Sequence, residues 1–260
     1  MIDWLYTLPE VLLVLVAAGI LAAVITSLPR LVRHVPVLAP SDVNTDFVIR
    51  VQATLFTMCG LILAFTLVEA DGNFRRVDAL ASAEASHIDR LDRLLARYDG
   101  AATVEIRGDL AAYLRSILKD DWPEILRGSE SDKTREAFAP VSRGILALAP
   151  TPGRQTEIYS EMLRAFDAVA EGRDARINAA ATGLPRIYWV VILFAAMTLL
   201  FVSSTMHPSP FRKVILACQM AVLGAFIGFV FVMDQPFKGE TAVQTDHYTR
   251  ALKHMEARKQ

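Results

Sequence analysis

Apolar residues gather in four long runs, Leu8 to Leu28, Phe47 to Val68, Ile187 to Met206 and Val214 to Met233. At about 1.5 Å rise per residue each is long enough to cross the roughly 30 Å hydrocarbon core of a bilayer as a helix. Between the second and third runs the pattern changes to polar residues with apolar positions at spacings of three and four, the helical period. Val77, Leu80, Ile88, Leu91, Leu95 and Tyr98 mark one face there, interrupted by Glu84, and Gly100 ends that helix. Further helices are predicted from about Val104 to Lys119, stopped at Asp121-Trp122-Pro123, and from Lys133 to Leu148. A last one starts near Thr156 and continues to Gly183, with Ile158, Met162, Phe166 and Val169 on one face. No strand-like alternation occurs. The predicted fold is all-α: an integral membrane protein with four transmembrane helices and a helical extramembrane domain inserted between spans two and three. Residues 1–72 would hold the first two spans and their connector, 73–183 the helical domain, 184–233 the last two spans, and 234–260 a polar tail.

The second span organises the chain. Its only charge, Arg50, lies near one end, and past Val68 the polarity flips, with Glu69, Asp71, Asn73, Arg75 and Arg76 in quick succession. Ala53, Thr57, Gly60 and Ala64 form one stripe of small residues, where backbones of neighbouring helices can approach closely. On and near the opposite side lie Met58, Leu61, Ile62, Phe65 and Glu69. For one helix alone such residues face lipid or a neighbour; around a symmetry axis they would line a dry constriction with an acidic mouth. The fourth span repeats the small stripe at Ala217, Ala221, Gly224 and Gly228, which suits tight helix packing within or between subunits.

The links carry their own signals. The first run has an acidic N-terminal flank, which argues against a cleaved leader, and Trp4 and Tyr6 suit an interfacial position. Pro29, Pro36 and Pro40 argue against helix from Pro29 to Asp46, and Ser41-Asp42-Val43-Asn44 offers caps for the second span. His207-Pro208-Ser209-Pro210 makes a tight turn between spans three and four.

Composition adds that 53% of the 260 residues are hydrophobic and that the net charge is −1, which leaves no basic surface for a nucleic acid. Cys59 and Cys218 sit in apolar runs and read as small buried hydrophobes. No GxSxG, HExxH, CxxC or phosphate-binding GxxxxGK[ST] motif is present, so no enzymatic activity and no cofactor are expected. Glu84, His87 and Asp89, or Asp120 with Asp121, could be drawn as metal ligands, but charged residues on a polar helix are more often its solvated face. His247 and His254, seven apart, likewise read as solvated. The apolar runs carry no ionisable group between their ends. That speaks against an ion-coupled transporter and leaves a passive channel open.

Several short motifs together resemble the bacterial bestrophin-like membrane proteins. They are Gly60-Leu61-Ile62-Leu63-Ala64-Phe65, Glu84-Ala85, Arg107 with Tyr113, Trp122-Pro123, Leu184-Pro185 with Trp189, and Asp234 with Pro236-Phe237 and Gly239. The likeness covers nearly all of the chain after residue 45. More distantly it is similar to the bestrophin ion channels, and that resemblance implies a homo-oligomer, a pentamer where it follows the bestrophins. It also implies four spans per subunit, permeant small ions, and a hydrophobic neck on the second span. Leu63-Ala64-Phe65 stands at the place of the neck, so Phe65 and Leu61 inherit that role through the resemblance. The chain departs from the pattern in having alanine for glycine there, no Trp-Trp pair after the span, and no calcium-binding acidic run.

The function expected is therefore a homo-oligomeric ion channel of the bacterial inner membrane; the alternative is a membrane-anchored scaffold whose helical domain binds partners. Lys and Arg near the span ends do not fix the orientation, since Arg30, Arg33, Arg50, Arg212 and Lys213 in short links oppose a larger set on the other side. The resemblance implies a cytoplasmic helical domain.

Overall fold

The computed structural model describes residues 8–32, 42–98, 100–125, 129–180, 182–206, 209–237 and 239–258, with side chains for all of these but 29–32 and 42–44. Regular structure among them is helical throughout: α1 (Glu10–Val32), α2 (Asp42–Tyr98), α3 (Ala101–Ser116), a π turn (Ile117–Asp121), α4 (Trp122–Ile125), α5 (Asp132–Leu146), α6 (Arg154–Ala180), α7 (Arg186–Ser204), α8 (Pro210–Met233) and α9 (Asp246–Ala257). Four of them, α1, α2, α7 and α8, are long and apolar enough to cross a membrane. Trp4, Tyr6, Pro36, Pro40, Ser41 and the His207-Pro208 link lie outside the described residues.

The chain forms two compact units, Met1–Asn73 with Gly183–Thr241, and Phe74–Thr182 with Ala242–Gln260. The 57-residue α2 contributes to both.

In the first unit Ile25 of α1, Cys59 and Leu63 of α2, Ile192 and Leu199 of α7, and Met220 and Leu223 of α8 share one apolar core. Helices α1 and α8 approach most closely, because α8 presents glycine where α1 arrives. A Cβ on Gly224 would stand 2.5 Å from the Ala17 carbonyl oxygen and 2.8 Å from Ala18 Cα, and one on Gly228 3.0 Å from Val14 Cα. A part-buried polar pair adds a directional tie, with Gln52 Nε2 donating to Gln219 Oε1 at 2.5 Å; an unpaired amide in hydrocarbon would be costly. Ser209 caps α8 by accepting from the Arg212 N–H at 3.2 Å, with Pro210 at the first helical position.

Beyond α8 the chain is pinned at two points. Asp234 accepts from the Leu184 N–H at 2.5 Å and from Trp189 Nε1 at 3.3 Å, which binds the end of α8 to the start of α7. Gly239 has φ +92, a conformation that disfavours any side chain, and its neighbour Thr241 donates its N–H to Glu10 at 2.7 Å.

The second unit gathers the polar helices around Ile88, Leu91, Leu95, Leu110, Leu114, Ile145, Met162 and Val169, all fully buried. Phe166 stacks on Phe138, ring centroids 5.3 Å apart, and Phe138 meets Tyr113 at 4.8 Å.

Three local expectations need correction. Helix α1 continues through Pro29 to Val32, although a proline beyond the first turn forfeits the hydrogen bond to the carbonyl four residues back. The helix after Gly100 does not stop before Trp122: it widens into the π turn, where the Trp122 N–H reaches back to the Ile117 carbonyl, and resumes as α4 with Pro123 directly after it. Cys218 is exposed on α8, outside the shared core, whereas Cys59 is buried. The second unit also takes in Ala242–Gln260, with α9 burying Tyr248, Ala251 and Met255.

Candidate pore-lining face and buried charge cluster

Helix α2 buries one stripe in the first unit, Gln52, Cys59, Leu63, Thr66 and Ala70. Among the described residues, the two faces flanking that stripe are left open. On one side Met58, Leu61 and Phe65 are 56%, 56% and 66% exposed, and Glu69 is exposed one turn on. Ile62 lies at the edge of this face and packs partly against the core. On the other side Ala53, Thr57, Gly60 and Ala64 are exposed, with nothing among the described residues within 4 Å of a Cβ built on Gly60. The Thr57 hydroxyl donates back to the Ala53 carbonyl at 3.0 Å, which leaves that side smooth and free of side-chain donors. The corresponding stripe of α8 differs: Gly224 and Gly228 are covered by α1, and Ala217 packs on the core, with Ala221 partly buried.

The chemistry of the second unit centres on Arg176, which is fully buried. Its Nε donates to Glu84 Oε2 at 2.6 Å and its Nη2 to Asp121 Oδ2 at 2.8 Å. Glu84 also accepts from Tyr248 OH at 2.7 Å and Tyr113 OH at 3.3 Å, and Asp121 from the Ser131 N–H at 3.1 Å. The guanidinium carbon lies 5.9 Å from the Trp122 ring centroid and 5.8 Å from that of Tyr248, within cation–π range. Glu84 is thus no interruption of an apolar face. It is a buried acceptor whose partners come from α3, α6 and α9, and no local pattern marks them.

The π turn contributes here, since it sends adjacent carboxylates to different places. Asp121 enters the cluster, while Asp120 accepts from Ser116 Oγ at 3.1 Å and faces Lys133 at 3.8 Å. Asp89 is held by Arg93 and Arg258. The carboxylates drawn above as metal ligands therefore each face arginine, lysine or hydroxyl partners and do not converge. His247, read as solvated, meets Asp78 at 3.2 Å; His254 is exposed.

Burial pushes the Tyr113 and Tyr248 hydroxyls well above the ordinary tyrosine value of 10.0, and the Glu84 charge adds to the rise. Burial alone would lower Arg176, but Glu84 and the other anionic partners hold it well above its usual value. Raised tyrosine values mean that their stabilising share is fully present below the ordinary value and is lost as pH rises through the folded one. Thermal midpoints should therefore fall in strongly alkaline buffer, and less so in a Tyr113→Phe/Tyr248→Phe variant; equal slopes for both proteins would detach the tyrosines from the alkaline loss.

A family model described as the Bestrophin-like domain matches residues 15–248. Among solved structures, a variant of a bacterial bestrophin homologue from Klebsiella pneumoniae is similar at 12% identity and a TM-score of 0.66, covering 96% of this chain and 98% of that one. A second variant of a Klebsiella pneumoniae bestrophin homologue gives 15% and 0.57 over 95% and 98%. A crystal structure described only as a membrane protein gives 13% and 0.63 over 95% and 97%. No curated protein matches the chain. At such identities the structural likeness speaks for the fold alone, and the family model, spanning nearly all of the sequence, supplies the assignment: the chain belongs to the Bestrophin-like domain family.

Proposed function

We propose that the protein is a homo-oligomeric ion channel of the bacterial inner membrane, not a catalyst, with copies of α2 around a central axis. Support comes from the family and, above all, from one observation: Met58, Leu61 and Phe65 recur along α2 on a face that the chain leaves uncovered, with Glu69 at its polar end. Rings of Leu61 and Phe65 would form a dry neck, which ions cross poorly because they cannot shed water without compensation. Ile62 would back this neck. The smooth stripe of Ala53, Thr57, Gly60 and Ala64 would let a neighbouring copy come close. A pentamer accords with the bestrophins that the sequence resembles, with residues 73–183 cytoplasmic.

Phe65→Ala should widen the neck and raise single-channel conductance in planar bilayers severalfold. Glu69→Gln should move reversal potentials toward anions, less so in high salt, where the carboxylate ring is screened. If parent and Phe65→Ala both conduct no more than empty bilayers, the four apolar helices are an anchor for the second unit and the channel reading fails. For orientation, a cysteine at Ser129 should resist a membrane-impermeant thiol reagent in intact cells and react after lysis; labelling in intact cells would reverse the topology.

A further inference from the structure

Within the second unit a groove of about 460 Å³ opens between α2 and α9, floored by Ala85 and Ala251. Its walls carry hydrogen-bond donors, Arg93 and Ser82 from α2 and Arg250 and His254 from α9, while the Ser86 hydroxyl there donates to the Ser82 carbonyl at 2.9 Å. The carboxylate beside them, Asp89, is already engaged, accepting from Arg93 at 2.6 Å and from Arg258. Arg258 also donates to Asp92 at 2.9 Å, and Arg107 does so at 2.8 Å. Three guanidinium groups thus face two carboxylates, and Arg250 adds a further positive charge.

Arg250 is exposed but held. Its Nη2 stands 3.0 Å from His247 Nδ1, while His247 Nε2 stands 3.2 Å from Asp78. With Arg250 a permanent donor, Nδ1 is the acceptor of that ring and Nε2–H points to the carboxylate. His247 is therefore a positioning residue for Arg250.

We infer that this groove binds a phosphate group, carried either by a small dissolved molecule or by a lipid headgroup. Two guanidinium forks from facing helices, the His254 imidazole and the Ser82 hydroxyl supply more donors than the two oxygens of a carboxylate accept, and they suit a tetrahedral oxyanion. The volume lies within the range of small-molecule sites, about 300–1,000 Å³.

The full-length protein in phosphatidylcholine nanodiscs, titrated with sodium pyrophosphate at fixed ionic strength, tests the dissolved source; nanodiscs containing phosphatidic acid, read by thermal midpoint, test the headgroup. Expected is saturable binding in one arm that Arg250→Gln weakens about tenfold or more, the scale of a lost charge-assisted bond. His254→Gln should weaken it too, and Arg164→Gln, on the exposed side of α6, should leave it unchanged. All three positions are exposed, so unchanged circular dichroism separates lost binding from lost folding. The inference is overturned if neither arm gives binding that depends on Arg250, or if Arg164→Gln weakens it as much.

Discussion

Replacing Arg176 with methionine is expected to destabilise the second unit by about 3–5 kcal/mol, the usual scale for removing one partner of a buried ion pair. The side chain is fully buried and is the cation shared by Glu84 and Asp121, at 2.6 and 2.8 Å. Without it two carboxylates remain buried with hydroxyl and N–H donors only, and they must either pay for desolvation or take up protons. The neighbouring Arg173 does not substitute, since it is paired with Glu130. Glu84→Gln should be milder, because Arg176 and Asp121 then remain as a balanced pair and the two tyrosines still find an acceptor. Chemical denaturation followed by tyrosine and tryptophan fluorescence measures both. A cost below about 1 kcal/mol for Arg176→Met, the scale of an exposed pair, would mean that the cluster is hydrated and contributes little.

The second large effect belongs to the contact between α1 and α8. Gly224→Leu should separate these helices and cost the first unit at least the 1–3 kcal/mol typical of overpacking. The atoms in the way are the Ala17 carbonyl and Ala18 Cα, backbone that cannot step aside as a side chain can. A Cβ on Gly60 meets nothing within 4 Å among the described residues, so Gly60→Leu should leave subunit stability unchanged. If the α2 stripe lies between copies, Gly60→Leu lowers the mass measured by light scattering while Gly224→Leu lowers the melting temperature. Equal melting temperatures for Gly224→Leu and the parent would refute the α1–α8 contact.

The apolar helices were readable because membrane length and composition leave a long, strong signal, and helical periodicity located most of the polar helices. Partners distant in sequence were not readable. Glu84 stands at a core position of an apolar stripe, yet its partners Tyr113, Arg176 and Tyr248 lie on three other helices. The motif residues behind the family resemblance carry that information indirectly. Glu84, Tyr113 and Trp122 meet around Arg176, Arg107 holds Asp92, and Leu184, Trp189 and Asp234 form the tie at the end of α8. The π turn has no compositional signature at all, since it differs from an α-helix only in which carbonyl each N–H reaches. The continuation of α1 through Pro29 was missed because a proline disfavours a helix beyond its first turn without forbidding one. For the α2 face, sequence supplied the grouping of Met58, Leu61, Phe65 and Glu69. In the oligomer proposed above their cover would come from other copies, which a single chain does not encode locally.

The interleaving of the two units sets a constraint on biogenesis. Glu84, Asp121 and Arg176 leave the ribosome before α7 and α8, but Tyr248 and Arg258 come after both. Residues 74–182 must therefore wait, with a charged cluster lacking one of its hydroxyl donors, until the last two apolar helices have been delivered to the insertion machinery. Likewise α1 waits for the glycines of α8 through most of translation. A nascent chain stalled before residue 242 would hold neither a completed polar core nor the salt bridges of Arg258, so both wait for the segment that carries α9.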